Sequence, residues 1–593
     1  MKKCFFILAM VALAAFFGCS KDAEINPKPE PQKPVVTDNS PWEGSNVKAH
    51  PYNIENIMEA QRELGGSLKS AKEMTLYKYV SFRPDTSELR VLLQDTTIKL
   101  YDLPLADPKL YSWRNQTGLK SANEEDTTLK TQYAILPLDK AIPSNVNYTV
   151  LDTLYFPDYE TETDLYFAAH ILAGTIKVDS AAVDSMFAST SNLKSAMGWG
   201  WLKKAVKWVA NTIVGYEPSG TVTMNGNAVE GVQVEVIAWG LPWSGKTNSS
   251  GSFHVSKNIH VWSVVYLTFE NNHCNIKLWN LETWYSINNI MGTARYYIGD
   301  KAAADMKNMS IRLDNNSWGG MCATIINAVE KYHQQASALG IGTPPKVNIA
   351  AIWGKNFSGG SGSAPMLNLL LSPVSPSDYF GSFLKPLLSL TNDHFNPFSG
   401  LIPDIIIPKT KGFMYDDLTS ITLHELTHAA HAYKIGRVFW SRVVTGELNN
   451  MRNFSEPYGK RTSEFSGAVG LAEAWANDVE NMMMYRLFGN ASTYISDNME
   501  NWYSKANKDA VNSWLPNGLF FDLYDSPNQF KLPIGTYINE LSVTDNVSGI
   551  SYSSLYSNFS GSFDNLTDYK NRLKNSFSSK SSDIEALFNQ YSF

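Results

Sequence analysis

Long apolar runs are almost absent from this 593-residue chain: beyond residues 5–17, no stretch is long and apolar enough to span a bilayer. A basic excess is absent too. With 50 Lys and Arg against 57 Asp and Glu the formal net charge is −7, which argues against a nucleic-acid surface. Cysteine is scarce: of four, Cys4 and Cys19 fall at the extreme N-terminus, leaving Cys274 and Cys322. Outside the cytoplasm those two are free to pair, and two buried thiols fit equally well. What remains is the composition of an ordinary folded protein, 44% hydrophobic and 12% aromatic. Its length implies several domains rather than one core.

The N-terminus, MKKCFFILAMVALAAFFGCSKD, has two lysines, a short apolar run and then Gly18-Cys19. The run fits a secretory leader (residues 1–18) better than a membrane span. A small residue followed by Cys at its end resembles a bacterial lipoprotein signal, which implies cleavage before Cys19 and a lipid on it. The acidic start SKDAE resembles the export tethers of Bacteroidetes surface lipoproteins, implying an outer-membrane protein facing outward. Residues 19–46, with INPKPEPQKPVV, read as a Pro-rich extended tether.

Residues 47–195 read as a β-rich N-terminal domain, with LRVLLQDTTIKLYDLPL and YTVLDTLYFP as strands and one helix near Ile54–Leu64. Acidic clusters at 124–126 and 158–164 lack the ligand spacing of a calcium loop and read as solvated. Residues 196–216 form a basic amphipathic connecting helix, with Trp201, Leu202, Ala205, Trp208 and Val209 on one face; that face is expected to be buried between two domains. Residues 217–315 show short strands with Gly/Asn turns, a β-sandwich pattern. GTVTMNGNAVEGVQVEVIAWG and KTNSSGSFHV, within residues 220–255, resemble the carboxypeptidase-regulatory-like sandwich, a scaffold module. The scattered His254, His260 and His273 are read as structural. Residues 316–593 place helical and strand patterns before two further helices, an α+β domain. The whole is thus a multidomain chain: a β-rich N-terminal region and β-sandwich, then an α+β domain.

The chemistry is concentrated in that last domain. Three of the ten histidines fall within ITLHELTHAAHAYKIG, which contains a complete HExxH: His424, Glu425 and His428. Residues four apart share a helix face, so two imidazoles can close on one Zn²⁺ while the Glu reaches its water. The intervening positions carry neither charge nor Pro, and Asp416, Asp417, Thr419 and Ser420 suit a helix start. These flanks match the extended zincin signature. A third ligand is needed. His431 lies about 10 Å along the axis from His424, too far to share one metal on a straight helix, and reads as a residue behind the ligands, a substrate contact or a surface His.

GLAEAWAND, with Glu473, resembles the second motif of gluzincins such as thermolysin-like enzymes. The resemblance implies a zincin-like peptidase domain in which Glu473 completes the zinc site and Asn477, one turn later, orients a ligating His. Glu464 and Glu447 are the runners-up as ligand. The chain departs from thermolysin in a longer gap, filled by VFWSRVVTGELNNMRNFSEPYGKRTSEF, and in having Asn rather than Asp at 477. Glu425 would serve as general base and acid, and Tyr485 would stabilise the oxyanion, with Tyr458 and His431 as competitors. GGSGSAPML at residues 359–367 faintly resembles the substrate loop of gluzincin aminopeptidases but lacks its Glu-Asn, which leans toward endopeptidase; a plain Gly/Ser loop is the preferred reading. The expectation is a lipid-anchored zinc peptidase acting on extracellular proteins, peptides or glycoproteins. The rival is a surface binding or adhesion protein with a peptidase-like metal domain.

Overall fold

The computed structural model describes residues 50–65, 74–95, 97–101, 131–187, 199–280, 292–353, 362–366, 369–370, 403–409, 415–454, 456–489, 511, 514–524, 546–560, 563 and 565–593. The leader, the tether, Cys19 and the acidic cluster at 124–126 lie outside the described residues.

The N-terminal region mixes helices and strands: α1 (Ile54–Leu64), β1 (Leu76–Phe82), α2 (Thr86–Gln94), β2 (Gln132–Pro137), β3 (Tyr148–Tyr155), α3 (Thr163–Leu172), α4 (Ser180–Phe187) and α5 (Trp199–Thr212). The strands form an antiparallel sheet in the order β2-β1-β3. Strand periodicity sorts its faces. Val80, Phe82, Ala134 and Leu136 join a core with Leu92 of α2, while Tyr79 and Leu154 meet Ile237, Val264 and Tyr266 of the next region.

Two expectations are corrected here. The LRVLLQ stretch, read as strand, lies in α2. Asp85 and Glu88 close a reciprocal capping box, with Glu88 N donating to Asp85 Oδ1 at 2.8 Å and Asp85 N to Glu88 Oε2 at 2.9 Å. With α3 and α4 also helical, the region is not predominantly β. The connecting helix α5 packs on α1, α3 and α4, so it belongs to the N-terminal region. Leu202, Ala205, Val206 and Val209 are buried, but Trp201 is 38% exposed.

The middle region contains β4 (Ser219–Met224), β5 (Asn227–Ala228), β6 (Gln233–Ala238), β7 (Leu241–Lys246), β8 (Ser252–His254), β9 (Ser263–Thr268), β10 (Cys274–Asn280), β11 (Arg295–Lys301) and β12 (Met309–Leu313). One sheet runs β11-β9-β6-β7; the other runs β12-β4-β5, with β8 also on β4. Val222 and Met224 of one sheet share a core with Val234, Val236, Val265 and Leu267 of the other. Strand β10 leaves this pair. It lies parallel to β13 (Val347–Trp353), which lies parallel to β14 (Ile405–Pro408), so the expected boundary at 315 cuts through a sheet. Cys274, Ile276, Lys277 and Leu278 are all buried, as parallel strands covered on both faces require. Cys274 and Cys322 are both buried free thiols.

Before β13 comes α6 (Trp318–Leu339), capped by Ser317 and ended by Gly340 at φ 70°. After β14 come α7 (Tyr415–Ile435), α8 (Arg437–Phe454) and α9 (Ser466–Phe488), then α10 (Leu519–Tyr524), α11 (Tyr552–Ser557), α12 (Leu566–Ser576) and α13 (Ser581–Gln590). Helix α7 packs against α6, α8, α9 and β14, and α10 and α12 pack on α9. The molecule is therefore multidomain α+β. Among the described residues no helix is long and apolar enough to cross a membrane.

Candidate metal centre

Helix α7 is buried along most of its length. Its threonines are tolerated there because Thr422 Oγ1 donates to Leu418 O at 2.7 Å and Thr427 Oγ1 to Leu423 O at 2.8 Å. Asp416 and Asp417 lie in its first turn, where acids suit the helix dipole. Thr419 and Ser420 lie within the helix rather than at its cap; Thr419 Oγ1 donates to Tyr415 O, and Ser420 Oγ to Glu480 Oε1.

The HExxH spacing brings His424 and His428 together, and α9 brings Glu473 to them. His428 Nε2 lies 3.0 Å from His424 Nε2 and 3.1 Å from Glu473 Oε1, and His424 Nε2 lies 3.6 Å from Glu473 Oε2. Donor atoms at ordinary Zn–N and Zn–O distances on a tetrahedron stand about 3.3 Å apart, so this trio fits zinc. Among the described residues it is the one group of three or more His, Cys, Asp or Glu able to hold a metal ion.

The electrostatics fit as well. Burial would lower His424, but hydrogen bonds and charge from Glu473 and Glu480 raise it well above the ordinary histidine value. Burial would raise Glu473, but His428 and His424 hold it well below the usual carboxylate range. Burial lowers His428 despite Glu473. Four carboxyl groups, Glu425, Glu447, Glu473 and Glu480, act on one another or on His424 around this pocket.

Glu425 is 3% exposed and its Oε2 has no hydrogen-bond partner among the described residues. Burial pushes its carboxyl up to about 8, with His424 opposing and Glu473 and Glu480 adding to the shift. Against it lies residue 362: a Cβ on Gly362 would stand 2.7 Å from Glu425 Oε1. Residues 362–366, preferred from sequence as a plain loop, thus lie at the site. Ser363 and Ile406 exchange backbone hydrogen bonds of 3.0 and 2.7 Å in an antiparallel bridge, extending the sheet beyond β14. Trp440 Nε1 donates to Ala364 O at 3.2 Å.

Other expected roles are corrected. Asn477 Nδ2 donates to Glu473 O and Asn517 Oδ1, not to a ligating imidazole. His424 Nδ1 is instead held by Glu480 Oε2 at 2.9 Å. Glu480 is seven residues beyond Glu473, two turns on the same face, a spacing visible in the sequence. Tyr485 is 37% exposed and stands twelve residues from Glu473, about 18 Å along the helix, too far to serve the site. Its competitor Tyr458 faces the Glu473 carboxylate; burial first, then the charges of Glu473, Glu447 and Glu425, push its hydroxyl well above the usual tyrosine value.

His431 is fully buried with both ring nitrogens unpartnered among the described residues, its centroid 4.3 Å from that of Phe559, and burial lowers it to about 3. It packs the helix interior. Glu447 on α8 is raised well above the carboxylate range by burial, then by Glu473 and Glu425. Glu464 is exposed and accepts from Asn449 Nδ2 at 3.2 Å, outside the metal group. Of the middle histidines, His254 pairs with Glu217, His260 stacks on Tyr159 and His273 stacks on His333. No protein-family model matches this chain, and no curated protein matches it.

Proposed function

We propose that the chain is a zinc-dependent peptidase of gluzincin type, cutting extracellular proteins, peptides or glycoproteins while held to the outer membrane by a lipid at Cys19. The observation that carries the reading is the convergence of His424, His428 and Glu473 beside a buried Glu425 with an oxygen unpartnered among the described residues.

When bound, zinc supplies a Lewis acid that polarises a scissile carbonyl and lowers the pKa of water. Both imidazoles would hold the metal through Nε2, the nitrogens that converge with Glu473, and Glu480 on Nδ1 would keep His424 in that orientation. Glu473 supplies the carboxylate. Glu425 would take the proton at its Oε2, buried beside the ligands, and return it to the leaving amine. Tyr458 offers the hydroxyl donor that the developing oxyanion needs. Residues 362–366, bridged to Ile406 through Ser363, would offer backbone along which an extended substrate can lie, and the lack of the aminopeptidase Glu-Asn leans toward endopeptidase action.

Metal analysis of the purified protein together with peptide-library cleavage, wild type against Glu425→Gln, tests the reading. The expected result is zinc in both and cleavage by the wild type alone. Zinc in both and cleavage by neither supports the rival, a binding or adhesion protein with a metal-holding domain.

A further inference from the structure

The two histidines of the centre are held differently. His424 has Glu480 on its Nδ1, whereas Nδ1 of His428 is buried and has no hydrogen-bond partner among the described residues. Among the described residues, what orients such an imidazole is packing. The indole of Trp440 supplies it: the ring centroids lie 5.5 Å apart with the planes tilted by 53°. Trp440 is 2% exposed, and its N–H is directed to Ala364 O, inside the strand segment that touches Glu425 through Gly362.

We propose that Trp440 is a positioning residue that fixes the ring of His428 and locks residues 362–366 to the metal-binding helix, so that metal occupancy and the order of this strand are coupled. This rests on the reading of His424, His428 and Glu473 as the metal site. One side chain spans the two elements, its ring tilted against a ligand and its N–H on residue 364. A change at either end is felt at the other because a buried indole has no free volume in which to rotate. A single glycine, Gly436 at φ 93°, joins α7 to α8. Trp440, four residues on, lies beside His428.

The test uses full-length protein and zinc alone. Zinc affinity is measured by calorimetry, and amide hydrogen exchange is followed at Ser363, Met366 and Ile406 with and without zinc. In the wild type, zinc is expected to slow exchange at these amides by about tenfold or more, an expected coupling of ordinary size. Trp440→Phe keeps a ring beside His428 but loses the bond to Ala364. It should bind zinc within a few-fold of wild type while zinc no longer slows exchange at Ser363 and Ile406. Trp440→Leu removes the ring as well and should weaken zinc by about tenfold with all three ligands present, the scale set by outer partners of metal ligands.

Exchange at Ile349 and Ala351 in β13 checks that both variants are folded. Equal zinc-dependent slowing in wild type and Trp440→Phe overturns the coupling. Wild-type zinc affinity in Trp440→Leu overturns the positioning role alone. A wild type that binds no zinc overturns both this proposal and the peptidase reading.

Discussion

Glu480 Oε2 lies 2.9 Å from Nδ1 of His424, on the same face of α9 as Glu473 but two turns further on. One helix thus supplies both a metal-binding carboxylate and the carboxylate that fixes a metal-binding imidazole. Ser420, on α7 one turn before His424, donates to the other oxygen of Glu480, so the orienting group is itself oriented. Removing such an outer partner weakens metal binding by about ten- to a hundredfold. Glu480→Ala is expected to lose that much zinc affinity by calorimetry, while Asn477→Ala, at the position the thermolysin-like pattern indicated, is expected to stay within about twofold of wild type.

Tyr458 and Tyr485 separate in the same way. Loss of an oxyanion donor costs about a hundred- to a thousandfold in kcat. Tyr458→Phe should show a loss of that order with zinc content unchanged, and Tyr485→Phe should show none. Steady-state kinetics on any substrate found by library cleavage decides between them.

Gly362 is required by space. An added methyl would stand 2.7 Å from Glu425 Oε1 and 2.8 Å from its Cγ, so either the carboxylate or the strand must move. Because catalytic groups tolerate little displacement, Gly362→Ala should lower kcat by about a hundredfold while leaving zinc affinity near wild type. Kinetics and metal analysis on the same preparation check both halves.

Acid should loosen the junction between the N-terminal and middle regions. Burial lowers His50 and His170 to about 3 and His260 to about 4. His170 accepts or donates to Tyr52 and Thr175, and His50 packs edge-on against Trp239. An unfolded histidine titrates near 6.5, so below about that pH the unfolded chain binds more protons than the folded one. The stability these neutral rings contribute is complete above about pH 6.5 and is lost progressively toward pH 3 to 4. Urea midpoints followed by tryptophan fluorescence should therefore fall between pH 7 and pH 5, and His170→Gln should flatten that fall. An unchanged midpoint across this range would contradict the assignment.

Much of the centre could be read from local spacing, because HExxH is a contiguous pattern on one helix and needs no tertiary information. Glu473 was reachable through the motif around it. The roles of its neighbours needed tertiary information. Glu480 depends on how α7 and α9 cross, Trp440 on how α8 lies against α7, and residues 362–366 on a pairing with Ile406 forty-three positions away in the sequence. The fold divides similarly. The helices Trp318–Leu339 and Ser466–Phe488 are long, free of Pro and rich in Ala and other apolar residues, so they read as helices from the sequence. The short stretch LRVLLQ is apolar enough for either state, and the Asp85–Glu88 box decides for helix. Strand β10 looked like part of the sandwich because it follows β9 closely, yet its two buried faces place it in the parallel sheet.

Zinc-edge X-ray absorption on the zinc-loaded wild type and on Glu473→Ala tests the centre most directly. The wild type should hold one zinc with two imidazoles and an oxygen shell at about 2.0–2.1 Å, and the variant should lose the carboxylate and bind far more weakly. A wild type whose zinc shows an all-oxygen shell without imidazole, or no bound zinc at all, would contradict it.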